Sequence, residues 1–165
     1  MKNVYLIFLV GYVSLALSAE PTLGIVTGVL SNNEIAFTIN GSAVTCQNYG
    51  IVTLDEIEGL DTTCKQRLVT FQRQHPRYRY FSQTHLKRYQ QYHLERVDAR
   101  RCIVYAQGRK SLAELLLEAG LAVATPSAQA TMIDYQYQRS VRRARALQKG
   151  IYSDVLLRSC VQRLP

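Results

Sequence analysis

An Asn-Gly pair at positions 40 and 41 separates two segments that alternate in the manner of β-strands. Before the pair, Ile35, Phe37 and Ile39 alternate with smaller or more polar residues, which is the period of a half-buried strand. Asn-Gly is a strong hairpin signal because both central residues of a type I′ turn need a positive φ. A segment rich in β-branched residues precedes this hairpin. We therefore predict three antiparallel strands in a meander, at residues 23–30, 34–40 and 43–52.

The remaining patterns predict two further strands, one long loop and about three helices. They place a loop at 53–76 with a short helical stretch near 65–73, a helix after Pro76 with Tyr78, Phe81, His85, Tyr89 and Tyr92 on one face, strands at 93–97 and 102–106, and helices at 111–119 and 132–149. Ser111 and Glu114 match a capping box, and Gly120 and Gly150 follow the last two helices as stop signals. This order is compatible with an α+β fold, a five-stranded OB-type β-barrel decorated by helices.

The N-terminus has the pattern of a secretory signal peptide. Lys2 precedes an apolar run over residues 4–16, and small residues follow it before Glu20; this order of charge, apolar run and small residues is typical of such peptides. The run is shorter than the roughly 20 residues of a membrane span, although an uncleaved anchor is the alternative. We therefore expect a signal peptide at 1–19, a domain at 20–153 and a tail at 154–165, in a secreted or periplasmic monomer that is not an integral membrane protein.

The chain is basic and contains an even number of cysteines. Its formal net charge is +8, which favours polyanionic partners such as nucleic acid, anionic lipid or acidic glycans, unless the charge serves only solubility. The four cysteines have three possible pairings if an oxidising compartment joins them as disulfides. They form no C-x-x-C pair, and the three histidines lack zinc-finger spacing, so a structural zinc site is not expected.

Three strings resemble the staphylococcal-nuclease-like, or thermonuclease, family. They are Tyr49-Gly50-Ile51, the helix string Glu114-Leu115-Leu116-Leu117-Glu118-Ala119-Gly120-Leu121-Ala122, and Ala144-Arg145-Ala146-Leu147-Gln148-Lys149-Gly150-Ile151-Tyr152, where Tyr152 replaces a Trp. The resemblance covers about residues 24–153. It implies an OB-type barrel and a calcium-dependent cleavage of phosphodiesters, in which the cation and arginines neutralise transition-state charge and a Glu activates water.

The residues at the corresponding positions do not preserve that chemistry. The resemblance puts metal-binding aspartates where this chain has Asn33 and Val52, and an arginine where it has Gln47. The base glutamate becomes Asp55, and the second arginine position is filled by Ala99 or, with a one-residue shift, by Arg100. Since removing one charge-stabilising donor commonly costs about 10²–10³ in rate, we expect nuclease activity to be lost, with Asp55 and Arg100 as the remnants of the catalytic set and no cofactor.

One alternative retains a nuclease that uses calcium at a rearranged site. Its carboxylates would come from four acids that the sequence places near one rim of the predicted barrel: Glu34, Asp55, Glu56 and Glu58. The competing interpretation is that they are solvated loop acids.

The favoured function is binding of nucleic acid or another polyanion without cleavage. Four basic residues, Arg77, Arg79, Lys87 and Arg88, are interleaved with tyrosines, and OB barrels bind strands by stacking bases on aromatics in a basic groove. The competing interpretation is that the aromatic side chains pack in the core. A module that binds a protein partner through the loop at 53–76 and the tail remains a further alternative.

The OB-type barrel also suggests one pairing of the cysteines. Cys46 and Cys102 are on the predicted third and fifth strands, which are neighbours in such a barrel. Cys64 and Cys160 lie in the long loop and the tail, which a second disulfide would hold together. Buried free thiols are the alternative.

Overall fold

The predicted hairpin is present in the computed structural model, which describes residues 21–125 and 131–162. Asn40 and Gly41 have φ values of 50° and 79°, and the two strands pair from Glu34 opposite Gln47 to Ile39 opposite Ser42. The predicted signal peptide at 1–19 lies outside the described residues. The strands are β1 Thr22–Val29, β2 Glu34–Ile39, β3 Ser42–Asn48, β4 Ile51–Thr53, β5 Gln91–Arg96, β6 Arg101–Gln107, β7 Lys110–Ser111 and β8 Ala122–Ala124.

Five of these strands close into a barrel. Their order is β3-β2-β1-β5-β6, and β3 pairs with β6 in parallel through Gln47 opposite Arg101 and Asn48 opposite Cys102. All other pairings between barrel strands are antiparallel. The predicted α+β fold with a five-stranded, OB-type barrel is therefore confirmed. The predicted third strand bends at Tyr49-Gly50, and its end forms β4, which pairs with β8.

The helices of the described residues number five, whereas about three were predicted. They are α1 Thr62–Gln74, α2 Phe81–His85, α3 Leu112–Glu118, α4 Met132–Ala146 and α5 Val155–Val161, with 3₁₀ helices at Pro76–Tyr80 and Gly150–Ser153. The short helical stretch expected near 65–73 is the 13-residue helix α1, which begins where Asp61 Oδ1 accepts a hydrogen bond from the Cys64 amide at 2.8 Å. Part of the predicted tail is the helix α5.

The prediction of one helix from Pro76 to Tyr92 is wrong. The 3₁₀ helix ends at Tyr80 and α2 ends at His85. Leu86, the next residue, has an extended conformation and is only 2 % exposed. Tyr89 then occupies a turn with φ of 63°, and Tyr92 belongs to β5. The aromatic residues keep a spacing of three and four across a turn, which resembles the spacing of a helical face. Burial of Leu86 and the pairing of β5 with β1 instead determine the local structure.

The core fills the barrel and continues under α3. Val26, Phe37 and Leu94 are completely buried inside the barrel, and Leu112 and Leu116 of α3 are equally buried. Burying each such side chain stabilises the fold by about 1.5–3 kcal/mol. The predicted capping box is formed, since Ser111 Oγ accepts from the Glu114 amide at 3.1 Å and Glu114 Oε2 accepts from the Ser111 amide at 2.8 Å.

The glycines that follow α3 and α4 touch each other. Gly120 and Gly150 have φ values of 67° and 54°, and the Ile151 amide donates to the Gly120 carbonyl at 3.0 Å. A Cβ on Gly120 would lie 2.2 Å from the Lys149 carbonyl oxygen, which is too close for any side-chain carbon. The helix α4 ends three residues earlier than predicted, at Ala146, because Gln148 already has a positive φ of 49°.

Both disulfides form in the predicted pairs. Cys46 of β3 joins Cys102 of β6 with a Cα–Cα distance of 5.5 Å, and Cys64 of α1 joins Cys160 of α5 at 5.8 Å. All four cysteines are buried. Disulfides of this kind are typical of proteins in oxidising compartments. Within residues 21–125 and 131–162, no helix combines the length and apolar character that crossing a bilayer needs.

Candidate nucleic-acid interface

Asn33, at a position where the resemblance expects a metal-binding aspartate, is engaged in a partly buried hydrogen-bond network. It lies in the β1–β2 turn and is 7 % exposed. Its Nδ2 donates to both carboxylate oxygens of Glu56, at 3.0 and 2.8 Å, and its Oδ1 accepts from the Asn48 amide at 3.0 Å. Since a backbone N–H can only donate, this network fixes the orientation of the Asn33 amide.

The Glu56 carboxylate has a further neutral donor. Thr53 Oγ1 donates to its Oε2 at 3.0 Å, so Asn33 and Thr53 together satisfy the charge with hydrogen bonds. The half-buried Val52, at the second expected aspartate position, lines a hollow of about 260 Å³ with Ile57, Val123 and Ala124. Glu56 and Glu58, two of the acids considered for a rearranged calcium site, line the same hollow.

These residues do not fit a calcium ion. The Asn33 side-chain oxygen already accepts from the Asn48 amide, Val52 offers no oxygen from its side chain, and both oxygens of Glu56 accept from the Asn33 amide. Calcium takes six to eight oxygen ligands. In the part of the chain that the structure describes, no three His, Cys, Asp or Glu side chains are grouped as a metal site.

Asp55 lies on the turn after β4 and is exposed. It accepts a hydrogen bond from the hydroxyl of Tyr78. Burial and this bond to Asp55 raise the pKa of Tyr78, so the tyrosine remains a neutral donor at physiological pH. Arg79 is adjacent, with its Nε 3.5 Å from the same hydroxyl.

Arg100 lies in the hairpin between β5 and β6. Its backbone is hydrogen-bonded to Gln47, the residue at the position of the first expected arginine. The Gln47 amide donates to the Arg100 carbonyl at 2.7 Å, while the Arg100 side chain is exposed. Among the described residues, no hydrogen bond or ion pair connects Arg100 with Asp55. The structure therefore gives these two candidate catalytic residues different partners.

Asp98, which the sequence patterns did not single out, holds this hairpin together. Its Oδ1 accepts from the Arg100 and Arg101 amides at 2.9 and 2.8 Å, and its Oδ2 accepts from Arg101 Nε at 2.5 Å. The two amides and the Arg101 side chain lower the pKa of Asp98 to about 2. The Arg101 guanidinium also stacks 5.5 Å from the centre of the Tyr49 ring.

Lys87 and Arg88, two of the four predicted binding residues, line a groove of about 790 Å³ beside β1. Residues 27–30, Gln83 and Leu86 supply other parts of its wall. Among the described residues, no Asp or Glu lines the groove. It therefore presents positive charge against a largely neutral wall.

An aromatic ring stands next to these cations. Tyr89 is 73 % exposed, and the Arg88 guanidinium lies 5.2 Å from the centre of its ring. Arg88 Nε donates to the Thr27 carbonyl at 2.9 Å, and the Tyr89 amide donates to the Val26 carbonyl at 2.7 Å. Both residues are thus held against β1, and the Tyr89 ring is open to a ligand.

The other two predicted binding residues lie elsewhere. Arg77 lines a separate hollow of about 310 Å³ with Phe71, Tyr78 and Phe81, and Arg79 contacts Tyr78. Tyr78 is only 5 % exposed, so core packing describes it correctly, whereas the same interpretation is wrong for Tyr89. The periodic spacing could not separate these tyrosines because it assumed one helix.

Comparisons with known proteins do not assign this chain to a family. No protein-family model matches it, and no curated protein matches it at a significant level.

Proposed function

We propose that this protein is an exported, staphylococcal-nuclease-like barrel that binds single-stranded nucleic acid without cleaving it. The observation that carries the proposal is the groove beside β1, which Lys87 and Arg88 line without any described acidic residue. The exposed ring of Tyr89 lies next to the Arg88 guanidinium. The two disulfides support export to an oxidising compartment.

The chemistry of the groove suits a single strand better than a duplex. Exposed aromatic rings stack on bases that are not paired, at about 1–3 kcal/mol per base, and adjacent cations follow the phosphates. Tyr89 and Arg88 supply one such stacking platform, fixed by hydrogen bonds from the Tyr89 amide and Arg88 Nε to backbone carbonyls of β1. Because stacking accepts every base, the binding should have little sequence preference.

The network at Asn33 supports the absence of cleavage. A phosphodiesterase of the type that the resemblance implies needs acids free to hold a cation, and Glu56 instead accepts hydrogen bonds from Asn33 and Thr53. Asp55, the candidate base, accepts one from Tyr78. We therefore expect no turnover of plasmid or single-stranded DNA with calcium; turnover that Asp55→Ala abolishes would restore the nuclease hypothesis.

Titration of a labelled oligonucleotide tests the binding. The affinity should fall between 50 and 200 mM salt, because each phosphate neutralised on a single strand contributes a slope of about −0.7 in log K against log salt. Tyr89→Asn keeps a residue that tolerates a positive φ and should weaken binding about 5- to 150-fold, the equivalent of one lost stacking contact. Lys87→Ala should reduce the salt slope by about 0.7.

Arg73→Ala is the matched control for charge. Arg73 is exposed on α1, outside the groove, and its loss changes the net charge as much as the loss of Lys87 does. We expect the control to retain nearly full affinity. A flat salt response, or equal weakening by Arg73→Ala and Lys87→Ala, would contradict binding in the groove.

A further inference from the structure

The outer face of α4 is a second basic surface, separate from the groove. Four arginines at exposed positions, Arg139, Arg142, Arg143 and Arg145, follow one another on this helix, and the exposed Lys149 comes just after it. The opposite face contains the buried residues Tyr137, Ser140, Val141 and Ala144. With 3.6 residues per turn, this spacing sends Arg139, Arg142 and Arg143 to solvent while the helix stays anchored in the core. Arg145 lies at the edge of this face, and its guanidinium is 5.4 Å from the centre of the buried Tyr152 ring.

Few carboxylates neutralise this surface. Glu118 of α3 forms an ion pair with Arg143, with 3.6 Å between Arg143 Nη1 and Glu118 Oε1, and it is already bonded by Lys110 Nζ at 2.7 and 2.8 Å. Glu114 lines the same hollow as Arg139 and Arg143, but its carboxylate accepts from the Ser111 amide in the capping box of α3. Asp134, the acid of α4 itself, accepts from the amide and hydroxyl of the N-cap residue Thr131. Over residues 21–125 and 131–162, no carboxylate forms an ion pair with Arg139, Arg142 or Arg145.

Exposed apolar side chains accompany the arginines at both ends of the helix. Met132 and Tyr135 in the first turn are 74 % and 66 % exposed, and Leu147, which follows the last turn, is 55 % exposed. The Arg142 guanidinium lies 5.9 Å from the centre of the Tyr135 ring. A surface that combines negative charge with an apolar interior would contact both the arginines and these apolar side chains.

We propose that α4 lies flat on an anionic lipid surface. Its arginines would bind lipid phosphates, Met132 and Leu147 would enter the boundary between headgroups and acyl chains, and Tyr135 would sit at headgroup level. Cationic side chains that are attracted to an anionic leaflet, with an aromatic ring at headgroup level, are features of a surface that binds a membrane peripherally. A nucleic-acid backbone would satisfy the arginines, but it offers nothing to Met132 or Leu147, so lipid fits the whole face better.

The charge of the surface sets the size of the expected effect. Each Lys or Arg near an anionic leaflet contributes attraction equivalent to about a fivefold change in partitioning. Replacing Arg139 and Arg142 by Glu reverses two charges, so the loss of vesicle binding should reach about 10²-fold or more. Met132→Ser with Leu147→Ser should weaken binding without changing its salt dependence, because these side chains act by burial rather than by charge.

Cosedimentation of the purified protein with vesicles tests the proposal. We expect binding to vesicles that contain phosphatidylglycerol, little binding to phosphatidylcholine alone, and release as salt rises from 50 to 200 mM. The matched control is Lys65→Glu with Arg73→Glu on α1, which reverses two exposed charges on another helix. Circular dichroism and thermal melting establish that each variant is folded.

Several outcomes would overturn the proposal. Equal loss with the control pair would mean that net charge alone attracts the protein, and equal binding to neutral vesicles would remove the role of the arginines. If Arg139→Glu with Arg142→Glu abolishes oligonucleotide binding but leaves vesicle binding unchanged, the face belongs to nucleic acid instead. Because Tyr89→Asn should leave vesicle binding intact, failure of this proposal is distinguishable from failure of the groove.

Discussion

Replacing Asn33 by Asp would test whether the hydrogen bonds between Asn33 and Glu56 stabilise the fold at the position where the resemblance expects a metal. The substitution restores the aspartate that the resemblance predicts and hardly changes the volume of the side chain. It removes the Nδ2 donor that lies 3.0 and 2.8 Å from the Glu56 oxygens, and it places a second carboxylate there. The Asn48 amide keeps its acceptor, so the change acts mainly on the contact with Glu56.

Two effects determine the size of the destabilisation. A hydrogen bond to a charged group contributes about 1.5–3 kcal/mol, and two unit charges about 4 Å apart repel by about 4 kcal/mol at an effective dielectric constant of 20. Protonating one carboxyl relieves the repulsion, and at pH 7 this costs a group of ordinary pKa 4.3 about 3.7 kcal/mol. Because Glu56 is partly open to solvent, we expect Asn33→Asp to lower the free energy of unfolding by about 2–4 kcal/mol.

The pH dependence identifies the mechanism. Repulsion raises the pKa of the acid pair in the folded state above its unfolded value, so the protonated pair is stable at low pH and is penalised as pH rises. The difference in melting temperature between the protein and Asn33→Asp should therefore be large at pH 7, about 10 °C, and should narrow as pH falls towards 4.

Glu56→Gln in the Asn33→Asp background is the decisive control. The amide introduced by this second substitution would donate to the new carboxylate, which re-creates one charge and one amide with their roles exchanged. The double variant should recover most of the lost stability. If Asn33→Asp is as stable as the unaltered protein at pH 7, or if Glu56→Gln restores nothing, the network does not have the strength that its geometry indicates.

Three other predictions concern features outside this network. Replacing Cys64 and Cys160 by Ser should lower the free energy of unfolding by about 2–5 kcal/mol, because that disulfide spans 96 residues; denaturant titration checks this. Gly120→Ala should cost about 2–5 kcal/mol in the same assay, from its positive φ and the clash with Lys149. Asp98→Asn should abolish a stabilisation present above pH 4 and lost towards pH 2, since the folded pKa of Asp98 is about 2; melting curves at several pH values test this.

The parts of the fold that were predictable depend on local chemistry or on the barrel topology. Asn40-Gly41 specified its hairpin because few other residues adopt two consecutive positive φ values. Ser111 and Glu114 specified the start of α3 by satisfying each other's groups. The pairing of Cys46 with Cys102 followed only once an OB-type barrel made their strands neighbours.

The parts that were missed depend on contacts between distant residues. The strand β4 has three residues and exists through its pairing with β8, which no local pattern reveals. Tyr89 shares the spacing of a helical face, but its turn is set by hydrogen bonding to Val26 of β1. At the candidate site, the sequence identified Asn33 as a substitution and Glu56 as either a ligand of a rearranged calcium site or a solvated loop acid. Their contact across 23 residues needed the structure.

The order of the two disulfides along the chain has a consequence for proteolysis. Cys46 pairs with Cys102 and Cys64 pairs with Cys160, so each covalent loop contains one cysteine of the other. Any single cut between Cys46 and Cys160 therefore leaves the two fragments covalently joined. A secreted protease that nicks this region once would generate a new pair of termini without releasing a peptide, and the nick would become visible on a gel only after reduction.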